Sequence, residues 1–108
     1  MSSGEPFRLL SSGRTKDRVR QLRVDADAAG ISARIARSLQ EIERYLELDP
    51  KEWGDPFQRL EHLKQTLYRR IYDKLSVEYS VHDTERFVWL SRIRPVLGHP
   101  LCKHEDGE

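Results

Sequence analysis

Cysteine is almost absent from this chain: 108 residues contain one, Cys102. A disulfide within the chain is excluded, and a thiolate metal site has no ligand set. A single free thiol fits a reducing compartment, so a cytoplasmic location is expected. Long apolar runs are missing too. No stretch approaches the roughly 18 apolar residues of a membrane span, so no membrane partner is expected. Met1 to Pro6 has neither a basic region nor an apolar run, so no signal peptide is expected. An excess of charge of one sign is also missing. Lys and Arg number 19 against 18 Asp and Glu, a formal net charge of +1, so any contact with nucleic acid must come from local clustering. There is no internal repeat and no low-complexity block.

What is present is a charge-rich chain, 34% charged and 37% hydrophobic, with material for one modest core. A single domain over residues 1–101 is expected, followed by a polar tail, 102–108, expected to be disordered. Met1 to Glu5 is small and polar and reads as a frayed end. Phe7, Leu9 and Leu10 suit a short edge strand, which Ser11-Ser12-Gly13 breaks, with Ser12 or Thr15 as a helix cap. The spacing of Val19, Leu22 and Ala26 predicts a helix from about Arg14 to Ala29, punctuated by Gly30. Ile31, Ile35, Leu39, Ile42 and Leu46 then form an apolar stripe on a second helix, Ile31 to Leu48, ended by Asp49-Pro50.

Residues 50–62, with two prolines and a glycine, read as an irregular connector pinned by Trp53 and Phe57. After His62 the period changes to about two. Leu63 to Tyr72 reads as a strand and Asp73-Lys74 as a tight connection. Leu75, Val77, Tyr79 and Val81 alternate with Ser76, Glu78, Ser80 and His82, the pattern of a half-buried strand. Phe87 to Ile93, apolar on both faces, is the candidate central strand, and Pro95 stops it. Helices first and strands second predict an α+β fold: a two-helix hairpin packed on a mainly antiparallel sheet of three to four strands, in the order β-α-α-β-β-β. The second-helix stripe is expected to meet Val77, Tyr79 and Trp89 or their strand neighbours.

Asp49-Pro50, then Gly54-Asp55-Pro56-Phe57-Gln58-Arg59-Leu60, followed by strands at Leu67–Tyr72, Leu75–Val81 and Phe87–Leu90, resemble the connector and C-terminal strands of the RelE/ParE toxin superfamily. With the helices, the resemblance covers most of residues 7–95. It implies a toxin-like component of a type II toxin–antitoxin system, held by an antitoxin protein from a neighbouring gene. RelE-type members cleave mRNA in the ribosome without a cofactor or metal; ParE-type members inhibit DNA gyrase. Fold alone does not choose between ribosome and mRNA on one side and gyrase on the other.

RNA cleavage of this kind needs a general base, a general acid and a cation facing the phosphate. Arg92 and Arg94 are two apart, so on a strand they share a face, and His99 follows; these three are the candidate catalytic residues. Arg69 or Arg70, which point to opposite sides of one strand, could join them in binding RNA. Arg18 and Arg20 represent the basic first helix, with Arg14, Lys16 and Arg23. His82 and Glu85 lie at a hairpin. The resemblance also shows departures. Ser76 stands where active mRNA interferases carry an arginine, and serine cannot neutralise a phosphate; the chain beyond Ile93 has no aromatic to stack on a base. These two absences support an alternative: a non-catalytic RelE/ParE-fold protein that binds a gyrase- or antitoxin-type partner, or an inactive toxin homologue. Each residue also has a plainer reading: Arg92 and Arg94 as a solvated strand edge, His99 as an exposed loop histidine, the basic helix as a solvent face, and Trp53, Trp89 and Phe57 as core.

Overall fold

The structure is a computed structural model and describes residues 5–102. Its elements are β1 (Arg8–Ser11), α1 (Gly13–Ala28), α2 (Ser32–Leu48), a single-turn α3 (Pro50–Trp53), β2 (Asp55–Leu60), a 3-10 turn (Glu61–Leu63), β3 (Gln65–Tyr72), β4 (Leu75–His82) and β5 (Phe87–Pro95). The class is α+β, with a mostly antiparallel sheet of five strands in the order β1-β5-β4-β3-β2. Only β1–β5 is parallel.

Local chemistry sets the helix boundaries. The Ser12 hydroxyl caps α1 by accepting from the Thr15 N–H at 3.2 Å. At its other end Gly30, at φ 76°, takes the left-handed conformation. The Ile31 N–H then reaches back to the Ala26 carbonyl at 2.8 Å and the Gly30 N–H to that of Asp27 at 3.2 Å. This Schellman closure satisfies carbonyls that the helix end would otherwise orphan. The stripe of α2 is buried as expected: Ile35, Leu39, Ile42 and Leu46 are all in the core. With Leu22 and Ala26 of α1 they pack into one cluster with Leu75, Val77, Tyr79, Val81, Val88, Leu90 and Ile93. Both helices therefore cover the same face of the sheet. Among the described residues the opposite face carries no helix.

The connector is more ordered than its composition suggests. Pro50 starts a helical turn, β2 adds an edge strand, and the sheet gains a strand over the expected three to four. Trp53 is buried there and stacks on Tyr79, which stacks on Tyr68. The Tyr79 hydroxyl donates to the Pro50 carbonyl at 2.6 Å, and burial raises its pKa. Gly54 allows this approach, because a Cβ there would lie 2.5 Å from the Tyr79 hydroxyl. Phe57, expected to pin the loop, is instead 41% exposed, because the β2 bulge between Pro56 and Gln58 places it beside the Arg69 guanidinium, 4.4 Å from its ring centroid.

Two strands exchange roles. β4 rather than β5 is central, and it is buried on both faces: Ser76 and Ser80, expected to be solvated, are small and sheltered by neighbours on β3 and β5. Trp89, expected under α2, points to the helix-free face and is 39% exposed. A bulge explains the phase: Tyr79 pairs with Leu90 but Glu78 with Arg92, so Ser91 is the extra residue and Ile93, not Arg92, returns to the core face. At the chain ends, Met1 to Gly4 and the polar run from Lys103 lie outside the described residues. Glu5 is tied in through its carbonyl, which accepts from Arg86, and the Cys102 N–H donates to the His99 carbonyl at 3.0 Å.

Leu39 is 4% exposed at the centre of the α2 stripe. Leu39→Ala should cost about 2–5 kcal/mol by leaving a cavity and lower the melting temperature by several degrees in calorimetry; an unchanged transition would contradict this packing.

Candidate nucleic-acid interface

β1 pairs with β5 only from Phe87 to Leu90, whereas β5 runs on to Pro95. Alongside the remaining residues lies α1. Thr15, 6% exposed, fixes the two together: its hydroxyl donates to the Ser91 carbonyl at 3.2 Å. Between them is an open groove of about 700 Å³ lined by Arg14, Asp17, Arg18 and Gln21 from α1, and by Ser91 to Arg94 from β5. Arg14, Arg18 and Gln21 reach it together because positions i, i+4 and i+7 share a helix face.

Four guanidiniums thus line one groove, and none of Arg14, Arg18, Arg92 and Arg94 forms a salt bridge to a carboxylate among the described residues. The acid in the groove, Asp17, is paired with Arg20 at 2.6 Å. Across the ladder from Arg92 stands Glu78, which also pairs with Arg69 at 3.4 Å. Across from Arg94 stands Ser76. Arg94 is therefore the β5 cation with no acid opposite it, and the serine at that position leaves its charge unopposed.

The expected residues separate accordingly. Arg92, Arg94 and Arg18 come together, with Arg14 added. Arg20 turns away to a second groove between the helices, with Arg23, Val24 and Asp27. Arg69 lies on the helix-free face, partly neutralised by Glu78. Arg70 points to the helix side, donating to the Trp53 carbonyl at 2.8 Å and lying over its ring. His82 structures its turn: its Nδ1 accepts from the Thr84 and Glu85 N–H groups at 3.2 and 3.1 Å.

His99 is not in the groove. It is 4% exposed, not an open loop residue: the chain after Pro95 turns back, with the Val96 N–H on the Lys74 carbonyl, and tucks the imidazole toward Arg34 and Asp73. Its Nδ1 accepts from the Leu101 N–H at 3.0 Å, and its Nε2 is buried with no partner. Burial, and secondarily Arg34, lowers its pKa, opposed by Asp73. Arg34 holds Asp73 by two bonds of 3.0 and 3.1 Å and, with Ser38, keeps that carboxyl below the usual range.

Thr15, Gln21 and Ser91 carry no local signal of a site; Thr15 reads as a cap candidate, and its bond to a residue 76 positions away is purely tertiary. Among the described residues no cluster of His, Cys, Asp and Glu is arranged to hold a metal ion, and no helix is long and apolar enough to cross a membrane. The sequence matches no protein-family model and no curated protein.

Because the unfolded chain would protonate His99 near its ordinary value of about 6.5 and the folded chain resists it, stability is fully present above that value. It is lost as pH falls toward the lower folded pKa. The melting temperature should fall between about pH 7.5 and about pH 5.5, where most carboxylates stay ionised, and His99→Gln should flatten that slope. An equal slope in the variant would place the titration elsewhere.

Proposed function

We propose that this chain is a RelE/ParE-type toxin component that acts on ribosome-bound mRNA, with the groove between α1 and β5 as its phosphodiester site. The observation that carries the reading is the convergence of Arg14, Arg18, Arg92 and Arg94 on one groove in a protein whose net charge is only +1. Guanidinium binds phosphate by paired N–H···O bonds and stays charged at any working pH. An in-line displacement places extra negative charge on the phosphate oxygens, where preorganised cations stabilise it. Arg94 is best suited to that role, because its ladder partner is Ser76 and not a carboxylate. The element order β-α-α followed by an antiparallel meander supports the superfamily assignment, and an antitoxin would be its regulatory partner.

A second reading rests on the groove's lining, which contains no histidine. With His99 buried elsewhere, proton transfer has no side chain poised near neutrality. A protein that binds RNA or a gyrase-like partner without cleaving fits that chemistry.

Induced expression in a bacterial host without an antitoxin tests both. Arrested growth with cleaved mRNA supports the first reading; arrest with intact mRNA and capture of gyrase supports the second. Arg94→Ala should lower cleavage by about 10²–10³-fold, with Arg94→Lys intermediate and Arg92→Ala milder. Arg18→Ala should weaken binding modestly and reduce its salt dependence. If Arg94→Ala stays as toxic as the parent, the groove is not the site.

A further inference from the structure

Beyond Pro95 the described chain forms a short strap, Val96 to Cys102, that folds back beside the β3–β4 turn. The Val96 N–H donates to the Lys74 carbonyl at 2.9 Å, the His99 N–H to that of Val96 at 3.0 Å, and the Cys102 N–H to that of His99 at 3.0 Å. Gly98, at φ 99°, makes the reversal, and a Cβ there would lie 3.0 Å from the Lys74 Nζ. Two side chains anchor the strap to the body: Leu101, packed against the core cluster, and His99, 4% exposed. The imidazole also fixes the backbone. Its Nδ1 accepts from the Leu101 N–H at 3.0 Å, the bond that an Asn or Asp side chain makes to the residue two positions on in an Asx turn. Nδ1 can accept only while it carries no proton, so the ring is the neutral tautomer with its hydrogen on Nε2. That Nε2 is buried without a partner among the described residues.

We propose that Val96–Cys102 is an acid-released strap: a proton on His99 Nδ1 turns the acceptor of the Leu101 N–H into a donor facing a donor, and the strap leaves the body while the core stays folded. The proton comes from solvent and returns to it when the strap recloses. The surroundings of the ring do not stabilise an imidazolium. From α2, Arg34 faces it with like charge; from the β3–β4 turn, Asp73 attracts it. The Asp73 carboxylate, however, already accepts two bonds from Arg34 and one from Ser38. The Lys74 ammonium beside Gly98 adds a further positive charge, and burial itself disfavours the charged ring. Once the strap is open, the ring regains water and its ordinary proton affinity, so the opening equilibrium grows as pH falls below about 6.5. The consequence reaches β5. Arg94 and Pro95 pair with Ser76 and Leu75 at the end of that strand, and the strap continues it directly, so release leaves this end free to fray. The strap stands apart from the groove; only the loosening of Arg94 as a phosphate ligand rests on the phosphodiester reading.

Cys102 is the single cysteine of the chain and is half-buried at the end of the strap. Its reaction with a dipyridyl disulfide, which attacks thiols even in mild acid and releases one thiopyridone per chain, therefore times the opening. Rates are measured on the full chain from about pH 7.5 to about pH 5 and divided by those of the same chain in denaturant. The relative rate should be flat above about pH 6.5 and rise by up to about tenfold per pH unit below it. It should depend only weakly on added denaturant, as a local opening does. Amide exchange should show protection lost over residues 94–102 and kept in β4. His99→Asn, whose Oδ1 supplies the turn acceptor at every pH, should hold the relative rate flat, and His99→Ala should react fast throughout. His82→Asn, at the far end of β4, should keep the parent's rise. The His99 ring resonances should titrate with the midpoint of the labelling, a check that needs no variant to fold. A parent rate flat across this range, a rise that persists in His99→Asn, or a different ring midpoint would overturn the proton switch. A rise as steep in denaturant as global unfolding would overturn the strap as a separate unit. No RNA enters these measurements, so they decide the strap whether or not the groove binds phosphate.

Discussion

The Thr15 hydroxyl bonded to the Ser91 carbonyl stands where a strand would otherwise lie. β1 stops after four residues because Ser12 turns the chain into α1, and β5 continues without a strand partner on that side. Two features meet at the seam. The bulge at Ser91 changes which β5 residues face the core, and the Thr15 contact docks the first turn of the helix against it. Without the bulge the alternation would send Ile93 outward and Arg92 into the apolar cluster. An extra residue in β5 is thus the reason that two arginines border the groove and an isoleucine fills the core.

Charge is sorted more strongly than its sum suggests. Most acids with close partners serve structure. Asp73 ties the β3–β4 turn to α2, Asp83 ties the β4–β5 turn to β2 through Arg59 at 2.6 and 2.7 Å, and Glu78 lies between Arg69 and Arg92. Asp73 and Asp83 are paired away from the groove, Asp17 within it is paired with Arg20, and the groove's four guanidiniums form no salt bridge among the described residues. A formal charge near zero coexists with a concentrated cationic track, because the balance is struck across the whole surface and not within the track.

The sequence made the periodic elements legible. The α2 stripe, the core-facing residues of β4 and the Asp73-Lys74 turn appear where the pattern put them, since each rests on residues close in sequence. Both turn residues have positive φ, 50° and 62°, which suits a two-residue hairpin. β2 escaped notice because prolines and a bulge disguise its pairing, and it is an edge strand whose residues are mostly exposed. Trp89 and Ser76 were placed on the wrong side of burial for a related reason: composition cannot show a bulge, nor which strand lies in the middle. For the site, the pairing of Arg92 with Arg94 followed from strand geometry. The addition of Arg14 and Arg18, and the removal of His99, required the tertiary fold.

The parallel pairing of β1 with β5 joins the first strand of the described chain to the last. Residues 8–11 have no strand neighbour until residues 87–90 are in place. The antiparallel ladder from β2 to β5 can zip from its short turns, whereas this closure joins segments nearly eighty positions apart and carries the largest loop entropy in the sheet. The basic groove belongs to that closure, since its two walls come from opposite ends of the described chain. During synthesis it can form only after β5 has left the ribosome.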